Sequence, residues 1–194
     1  KKYISAALFN SYGRPILAPK MITIDQWVKS YSPETVIDST RSVLRLFEIQ
    51  LKEAKTADDA SFDEFFTWGM TLLSDFNEID RYLLEANQVF KNLTDIKEIE
   101  NWSFGDKDLT PSQVKFMAFW DRLPGFYHAL NKELSSKGMC YPGKAYRHLA
   151  TNIEQLFENE KAQYLFAGFN ALSTAELSII RQLENMGRAH VMID

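Results

Sequence analysis

The stretch Y164-L-F-A-G-F-N-A-L-S173, followed by T174-A-E-L-S-I-I-R-Q-L183 and then A189-H-V-M-I193, decides the fold of this chain. Residues 164–169 form a continuous apolar run, which is typical of a strand buried on both faces of a parallel sheet. Ser173-Thr-Ala-Glu176 is a capping box that opens a helix, and Gly187 suits the end of that helix. Residues 189–193 then form a second strand. The pattern predicts a βαβ unit with a right-handed crossover.

Upstream of this unit the chain has mainly helical patterns. Ser32-Pro33-Glu34 has the hydroxyl, proline and carboxylate of a helix start, and Ser61-Phe-Asp-Glu64 is a capping box. The second of these helices carries an apolar stripe that includes Gly69, which predicts a close helix crossing. Further helices are predicted at residues 79–90, after the capping box at residues 110–113, and at residues 145–157.

Pro124 and Gly138 mark the start and the end of another predicted helix in the same region. Pro124 breaks the helical pattern near Leu123, because its ring disfavours α geometry at the preceding residue. The continuation from Gly125 stops at Gly138, a natural residue for a helix end. Residues 32–160 are therefore expected to form a helical subdomain between two pieces of an α/β domain, residues 1–31 and residues 161–194.

The N-terminal piece is predicted to contain one short strand. The residues Met21-Ile22-Thr23-Ile24 are apolar and β-branched, which favours an extended conformation. Asp25 follows and can cap a short helix that carries Trp27 and Val28. We expect this strand to join residues 164–169 and 189–193 in one small sheet. Because the chain begins at Lys1 inside a helical pattern, we also expect it to be a fragment of a larger protein.

Composition excludes several classes of function. The 194 residues are 45% hydrophobic and 13% aromatic, which is enough for a real core. Cys140 is the one cysteine, so no disulfide framework is possible and a reducing compartment is expected. Charges of 22 Lys and Arg against 26 Asp and Glu give −4, opposite to the balance of a domain that neutralises phosphates. We expect a cytoplasmic protein with no membrane partner, since the apolar runs are short.

The sequence contains no intact catalytic element. His128, His148 and His190 have no partner at helical metal-ligand spacing, so no metal site is predicted. The glycines are scattered among turns and helix ends, so there is no phosphate-binding loop. No cofactor and no catalytic residue are therefore expected in this chain.

The end of the first C-terminal strand resembles the Walker B region of superfamily 1 helicases of the UvrD and RecB type. In that family the strand ends in Asp-Glu, followed by an aromatic residue, Gln-Asp and a helix. Matched position by position, Ala167 stands for the magnesium-binding Asp and Gly168 for the water-activating Glu, while Asn170 stands for the Gln. The resemblance implies a degenerate Walker B in which ATP binding has been lost.

Two further segments are similar to the same proteins. Residues 21–27 resemble the Thr-x-His-x-Phe segment on the strand-binding surface of these helicases, with Asp25 in place of the His. This likeness implies a weak nucleic-acid contact at Thr23 and Asp25. The helical stretch of residues 61–100 and the order Y141-P-G-K-A-Y-R-H-L149 resemble large bacterial AddB-like proteins of the PD-(D/E)XK nuclease family.

The resemblance implies a function for the parent protein. In this family a degenerate helicase body precedes a C-terminal nuclease, and the protein processes DNA ends for recombinational repair together with a helicase partner subunit. This chain would be the non-catalytic, helicase-like segment, mainly α with a small α/β part, and it would meet DNA through the parent. The alternative is a helical protein-interaction module unrelated to DNA.

Overall fold

The computed structural model describes residues 6–7, 10–11, 19–53, 61–93 and 121–192. The opening helix, the helix start at residues 110–113 and the end of the last strand fall wholly or partly outside these residues. The described helices are α1 (Ile24–Tyr31), α2 (Ser39–Glu53), α3 (Phe62–Arg81), α4 (Leu123–Ser136), α5 (Pro142–Phe157) and α6 (Thr174–Asn185), and residues 86–93 are also helical. The described strands are β1 (Thr35–Val36), β2 (Met139–Cys140), β3 (Tyr164–Ala167) and β4 (Ala189–Met192). The fold is mainly helical with a few short parallel strands.

The βαβ unit at the end of the chain is confirmed. Strands β3 and β4 pair in parallel, with Tyr164 opposite Ala189, and α6 connects them. The capping box of α6 is complete, because the Ser173 hydroxyl accepts from the Glu176 amide and the Glu176 carboxylate accepts from the Ser173 amide. Gly187 has a φ of +66°, so the left-handed turn between α6 and β4 requires a glycine. Local chemistry alone therefore predicts this unit.

The prediction that β3 is buried on both faces is wrong. Phe166 is only 8% exposed, whereas its neighbour Leu165 is 64% exposed and Met192 on β4 is 57% exposed. Trp27 of α1 and Phe157 of α5 belong to the same core cluster as Phe166, so the packed helices cover one face of the pair. The side chains of β3 alternate between this covered face and an open face.

The predicted strand at residues 21–24 is also wrong, because a helix cap lies there instead. Thr23 is the N-cap of α1: its hydroxyl accepts from the Gln26 amide at 3.2 Å, and its amide donates to the Gln26 side chain at 3.3 Å. Asp25 lies in the first turn of α1 rather than at its cap. The capping box therefore overrides the β propensity of Ile22 and Thr23, and within the described residues the sheet that contains β3 has two strands.

The helix start predicted at Ser32-Pro33-Glu34 is wrong, because the residues that follow it form a strand of a second sheet. Thr35 and Val36 form β1, which pairs in parallel with Met139 and Cys140 of β2. Helix α2 begins at Ser39, and the carboxylate of Asp38 accepts from the Arg41 amide at 2.9 Å. The competing interaction is a strand pairing about a hundred residues distant in sequence, which a local pattern cannot reveal.

The remaining helix boundaries follow the sequence more closely. Helix α3 begins after Ser61 as expected but continues to Arg81, and Leu83, with a φ of +55°, lies in the turn that separates it from residues 86–93. This arrangement corrects the predicted helix at residues 79–90. The close crossing at Gly69 is confirmed, since an added Cβ would lie 2.9 Å from the Val43 side chain on α2. Helix α4 begins next to Pro124, as its ring requires.

Two hydrophobic cores hold these elements. The helical core joins α2, α3, α4 and residues 86–93, and its fully buried side chains include Val43, Leu46, Phe76 and Leu130. The sheet core joins α1, α5, α6, β3 and β4, and its fully buried side chains include Leu149, Ile153, Phe157 and Ile179. Helix α5 thus packs with the C-terminal βαβ unit, and it also contacts α3 of the helical core.

Candidate functional site

The end of β3 carries no carboxylate, thiol or imidazole from Tyr164 to Asn170. Ala167, Gly168 and Asn170 are all exposed. Gly168 has a φ of +79°, and no atom lies within 4 Å of the position that a Cβ would take. Among the described residues no group of three or more His, Cys, Asp or Glu side chains could hold a metal ion. The strand end is therefore open to solvent and lacks carboxylates.

The N-terminus of α6 next to this strand end is occupied by a carboxylate of the chain itself. Glu176 is only 8% exposed, and one of its oxygens accepts from the Ser173 amide at 2.7 Å and from the Ser173 hydroxyl at 2.8 Å. A helix N-terminus attracts anions because its amides and its dipole are positive. Here the Glu176 carboxylate accepts from the N-cap amide of Ser173, so that amide is not free for an anion.

Asp25, one of the two residues predicted to contact nucleic acid, holds three helices together. Its Oδ1 accepts from the Tyr146 hydroxyl of α5 at 2.7 Å and from the Arg81 guanidinium of α3 at 3.2 Å. The Arg81 guanidinium also lies 4.2 Å from the centre of the Tyr146 ring. Burial, and then the hydrogen bond to Asp25, raises the pKa of Tyr146, so its hydroxyl remains a donor at neutral pH. Asp25 therefore has a structural role in positioning α1.

Helix α1 and strand β3 meet through an aromatic cluster rather than through the predicted site residues. The Trp27 ring packs edge-on against Phe166 and Tyr164, with centroids 5.6 and 5.4 Å away. The hydroxyls of Tyr31 and Tyr164 lie 2.7 Å apart and join the two elements. Thr23 uses its hydroxyl to cap α1. Helix α1 and strand β3 thus share one core. The side chains of Thr23 and Asp25 instead form hydrogen bonds within α1 and to α3 and α5.

A buried polar network that sequence reasoning did not identify lies around Asp80, at the end of α3. Asp80 is 0% exposed, and its carboxylate accepts from the hydroxyls of Tyr127 and Tyr141 and from the Nε of Arg147. The Tyr127 hydroxyl lies 3.0 Å from Oδ1. Asn131 donates to the Tyr141 hydroxyl at 3.3 Å. The network fixes α4 and α5 to the end of α3.

Arg147 also closes the end of α3. Its Nη2 donates to the carbonyl of Ile79 at 2.9 Å, which also accepts from the Leu84 amide, and to the carbonyl of Leu84 at 2.6 Å in the turn after the helix. Burial, and then the charge of Asp80, raises the pKa of Tyr127 to about 12, so its hydroxyl donates at neutral pH. One sequence signal was present: Asp80 falls four residues after Phe76 on the apolar stripe of α3, where a charge needs a partner. Asp80 is fully buried and Arg147 is partly exposed, and together they have a structural role at the end of α3.

Comparison of the chain with protein-family models, with curated proteins and with solved structures gives no match in any of the three. Within the described residues, no helix is long and apolar enough to cross a membrane.

Proposed function

We propose that this chain is a non-catalytic, helicase-like segment of a bacterial helicase–nuclease that processes DNA ends for recombinational repair. The observation that carries the proposal is the parallel βαβ unit in which β3 ends at Ala167 and is followed by Gly168, where superfamily 1 helicases of the UvrD and RecB type have carboxylates. A degenerate helicase body of this kind is what the AddB-like proteins of the PD-(D/E)XK nuclease family have. The nuclease activity belongs to other parts of the parent protein, and this segment needs no cofactor.

The state of the strand end supports a structural role for this segment. A nucleotide-hydrolysing site needs one carboxylate to hold magnesium and another to orient the attacking water. Ala167 and Gly168 supply neither, and the Glu176 carboxylate accepts from the amide of Ser173 at the N-cap of the next helix. The segment acts in the cytoplasm as a scaffold that positions the neighbouring parts of the parent and its helicase partner subunit.

Contact with DNA is indirect in this proposal. The net charge of −4 opposes phosphate binding, and Asp25 presents a half-exposed carboxylate beside Thr23. Any strand contact near Thr23 and Asp25 depends on cations that the parent supplies. The segment alone should bind duplex DNA no more tightly than the non-specific range, ~10⁻⁴–10⁻⁶ M at physiological salt.

A genetic experiment tests the proposal. Deletion of the gene should sensitise the bacterium to agents that break both DNA strands, and its extracts should lose processing of linear duplex ends. The full-length gene carrying Ala175→Asp, which places a charge at a fully buried position of α6, should fail to complement the deletion. The matched gene carrying Lys29→Glu, an exposed position of α1, should complement it. Normal survival and normal end processing in the deletion strain would reject the proposal.

A second function, a protein-interaction module unrelated to DNA, is favoured by one observation. The open face of β3 and β4 exposes Leu165 and Met192, and such apolar surface suits a protein partner. Native mass spectrometry of the full-length gene product with candidate helicases separates the two functions. Association with a helicase subunit supports the first, and association only with proteins that do not act on DNA supports the second.

A further inference from the structure

Helices α2 and α4 form an open groove on the surface of the helical core. Its volume is about 330 Å³, and its lining residues are Ile49, Lys52, Ala129, Lys132, Glu133 and Ser136. Ile49 is buried and Ala129 packs against the helical core, so they give the groove an apolar floor. Because pockets for drug-sized ligands span ~300–1,000 Å³, a groove of this size suits a side chain or two of a peptide rather than a large cofactor.

The rim of the groove carries a local excess of positive charge. The carboxylate of Glu133 accepts from Lys137 at 2.7 Å and from Lys52 at 3.4 Å, and the hydrogen bond from Lys137 holds the pKa of Glu133 below its usual range. Lys132 has no carboxylate partner in the part of the chain that the structure describes. Three lysines therefore surround one glutamate, although the whole chain has a net charge of −4.

We propose that this groove docks an acidic segment of a partner protein, with one apolar side chain against Ile49 and Ala129 and a carboxylate on Lys132. The apolar floor and the cationic rim complement such a segment in both chemistry and charge. A groove between two helices is a common binding place for an amphipathic helix, which buries its apolar face and leaves its polar face on the rim. This inference does not depend on the proposed role in DNA end processing.

A fluorescent peptide provides the probe. It has about 16 residues, since shorter isolated helices are marginal in water. Leucines stand at positions i, i+3, i+4 and i+7, and glutamates fill the rest; the matched control keeps the leucines and replaces every glutamate by lysine. Fluorescence anisotropy with the whole chain should show binding of the acidic peptide, weakened by added salt, and at least about tenfold weaker binding of the basic one.

Three variants locate the binding site. Lys132→Glu should weaken binding of the acidic peptide at least about tenfold by reversing the charge of the rim, and Ser136→Trp should weaken it by filling the groove from the last turn of α4. Lys29→Glu, on α1 of the sheet core, makes the same charge change away from the groove and should leave the affinity unchanged. Circular dichroism melting of all three should match the parent chain, since the three positions are exposed.

Several outcomes would overturn the proposal. These are equal binding of the acidic and basic peptides, no binding of either, and the same affinity for Lys132→Glu as for the parent chain. A single-stranded DNA oligonucleotide serves as a further probe in the same assay. The proposal is also rejected if the acidic peptide does not bind while the parent chain binds DNA and both Lys132→Glu and Ser136→Trp abolish that binding. The groove would then bind nucleic acid phosphates rather than a protein segment.

Discussion

The end of α3 in the helical core and the strand β3 in the sheet core place their side chains in different surroundings. In the helical core the carboxylate of Asp80 is fully buried, and it is satisfied by two tyrosines and an arginine. In the sheet core the aromatic side chain of Phe166 is buried, while Leu165 beside it is left 64% exposed. The helical core thus buries the charge of Asp80 together with its hydrogen-bond donors, whereas the sheet core leaves the apolar side chain of Leu165 in water.

The difference indicates which contacts stabilise each region and which surface remains open to further packing. A buried carboxylate is costly unless it is paired with a cation and hydrogen-bonded, so the Asp80 network favours one arrangement of α3, α4 and α5. A parallel strand pair normally has both faces covered, so the open face of β3 and β4 is the natural place for further packing. The helical core is open to solvent at the groove between α2 and α4, and the sheet core is covered on one face.

The largest expected effect comes from breaking the Asp80 network. Arg147→Met should lower the free energy of unfolding by about 3–5 kcal/mol, because it leaves a buried carboxylate without its cation and removes the hydrogen bonds that Arg147 donates to the carbonyls of Ile79 and Leu84. Urea denaturation followed by circular dichroism measures the loss. Glu48→Gln, which breaks the surface pair with Arg45, is the control and should cost less than about 1 kcal/mol. Equal losses in the two variants would show that burial does not distinguish these pairs.

Two adjacent residues of β3 provide the next test. Phe166→Ala should cost about 3 kcal/mol, because it empties a position packed against Trp27 and opens a cavity in the sheet core. Leu165→Ala should change the free energy of unfolding by less than about 0.5 kcal/mol, because its side chain is mostly in water. Thermal unfolding of both variants checks the contrast. A loss of several kcal/mol from Leu165→Ala would mean that something covers this face.

The same pair of residues shows how far the sequence could go. Capping chemistry is local, so Ser173 with Glu176, Gly187 and Gly138 predicted helix starts and turns correctly. The apolar run of β3 offers no alternation, so Leu165 and Phe166 have the same hydrophobic character and opposite environments. Which face is covered depends on where α1 and α5 pack, and that is a tertiary property.

Long-range pairings account for the other misses. β1 pairs with β2 across about a hundred residues, so the proline and carboxylate near Glu34 were mistaken for a helix start. Asp80 and Arg147 are 67 residues apart in sequence, so no local pattern predicts their ion pair. The sequence does show that Asp80 is a charged residue on the apolar stripe of α3. The interpretation of the end of β3 as a degenerate Walker B rests on its missing carboxylates and stays a prediction. The exposure of this strand end and the hydrogen bond from the Ser173 amide to Glu176 are known only from the structure.

Two glycines sharpen the comparison at the level of backbone contacts. Gly143→Ala in α5 should cost about 2 kcal/mol, because the new Cβ would lie 2.7 Å from the backbone of Asn77 on α3, which cannot move aside as a flexible side chain would. Gly125→Ala in α4, where no atom lies within 4 Å of the new Cβ, should stabilise the protein by about 0.5–1 kcal/mol. Chemical denaturation of the two variants should show shifts of opposite sign, and shifts of the same sign would contradict the close approach of α5 to α3.

The smallest expected effect concerns the end of β3, where restoring carboxylates tests the contrast between an exposed and a buried site. The double change Ala167→Asp and Gly168→Glu places both charges in solvent, so their pKa values should remain ordinary, unlike those of a buried pair. The cost should be roughly 1 kcal/mol and should come from Gly168, whose φ of +79° disfavours any residue with a Cβ. Ala167→Asp alone is the control and should be nearly neutral.

The pH dependence of this double variant distinguishes the two environments. A carboxyl group with a raised folded-state pKa destabilises the protein increasingly as pH rises above its unfolded pKa, whereas an exposed group leaves the difference from the parent chain constant between about pH 5 and pH 8. We expect the constant difference, measured by thermal unfolding across that range. Isothermal titration should also show no binding of Mg-ATP to either protein, because phosphate binding requires a loop of amides and a lysine that these two carboxylates cannot replace. Binding or turnover in the double variant would mean that the end of β3 lies in a nucleotide pocket that lacked only these carboxylates.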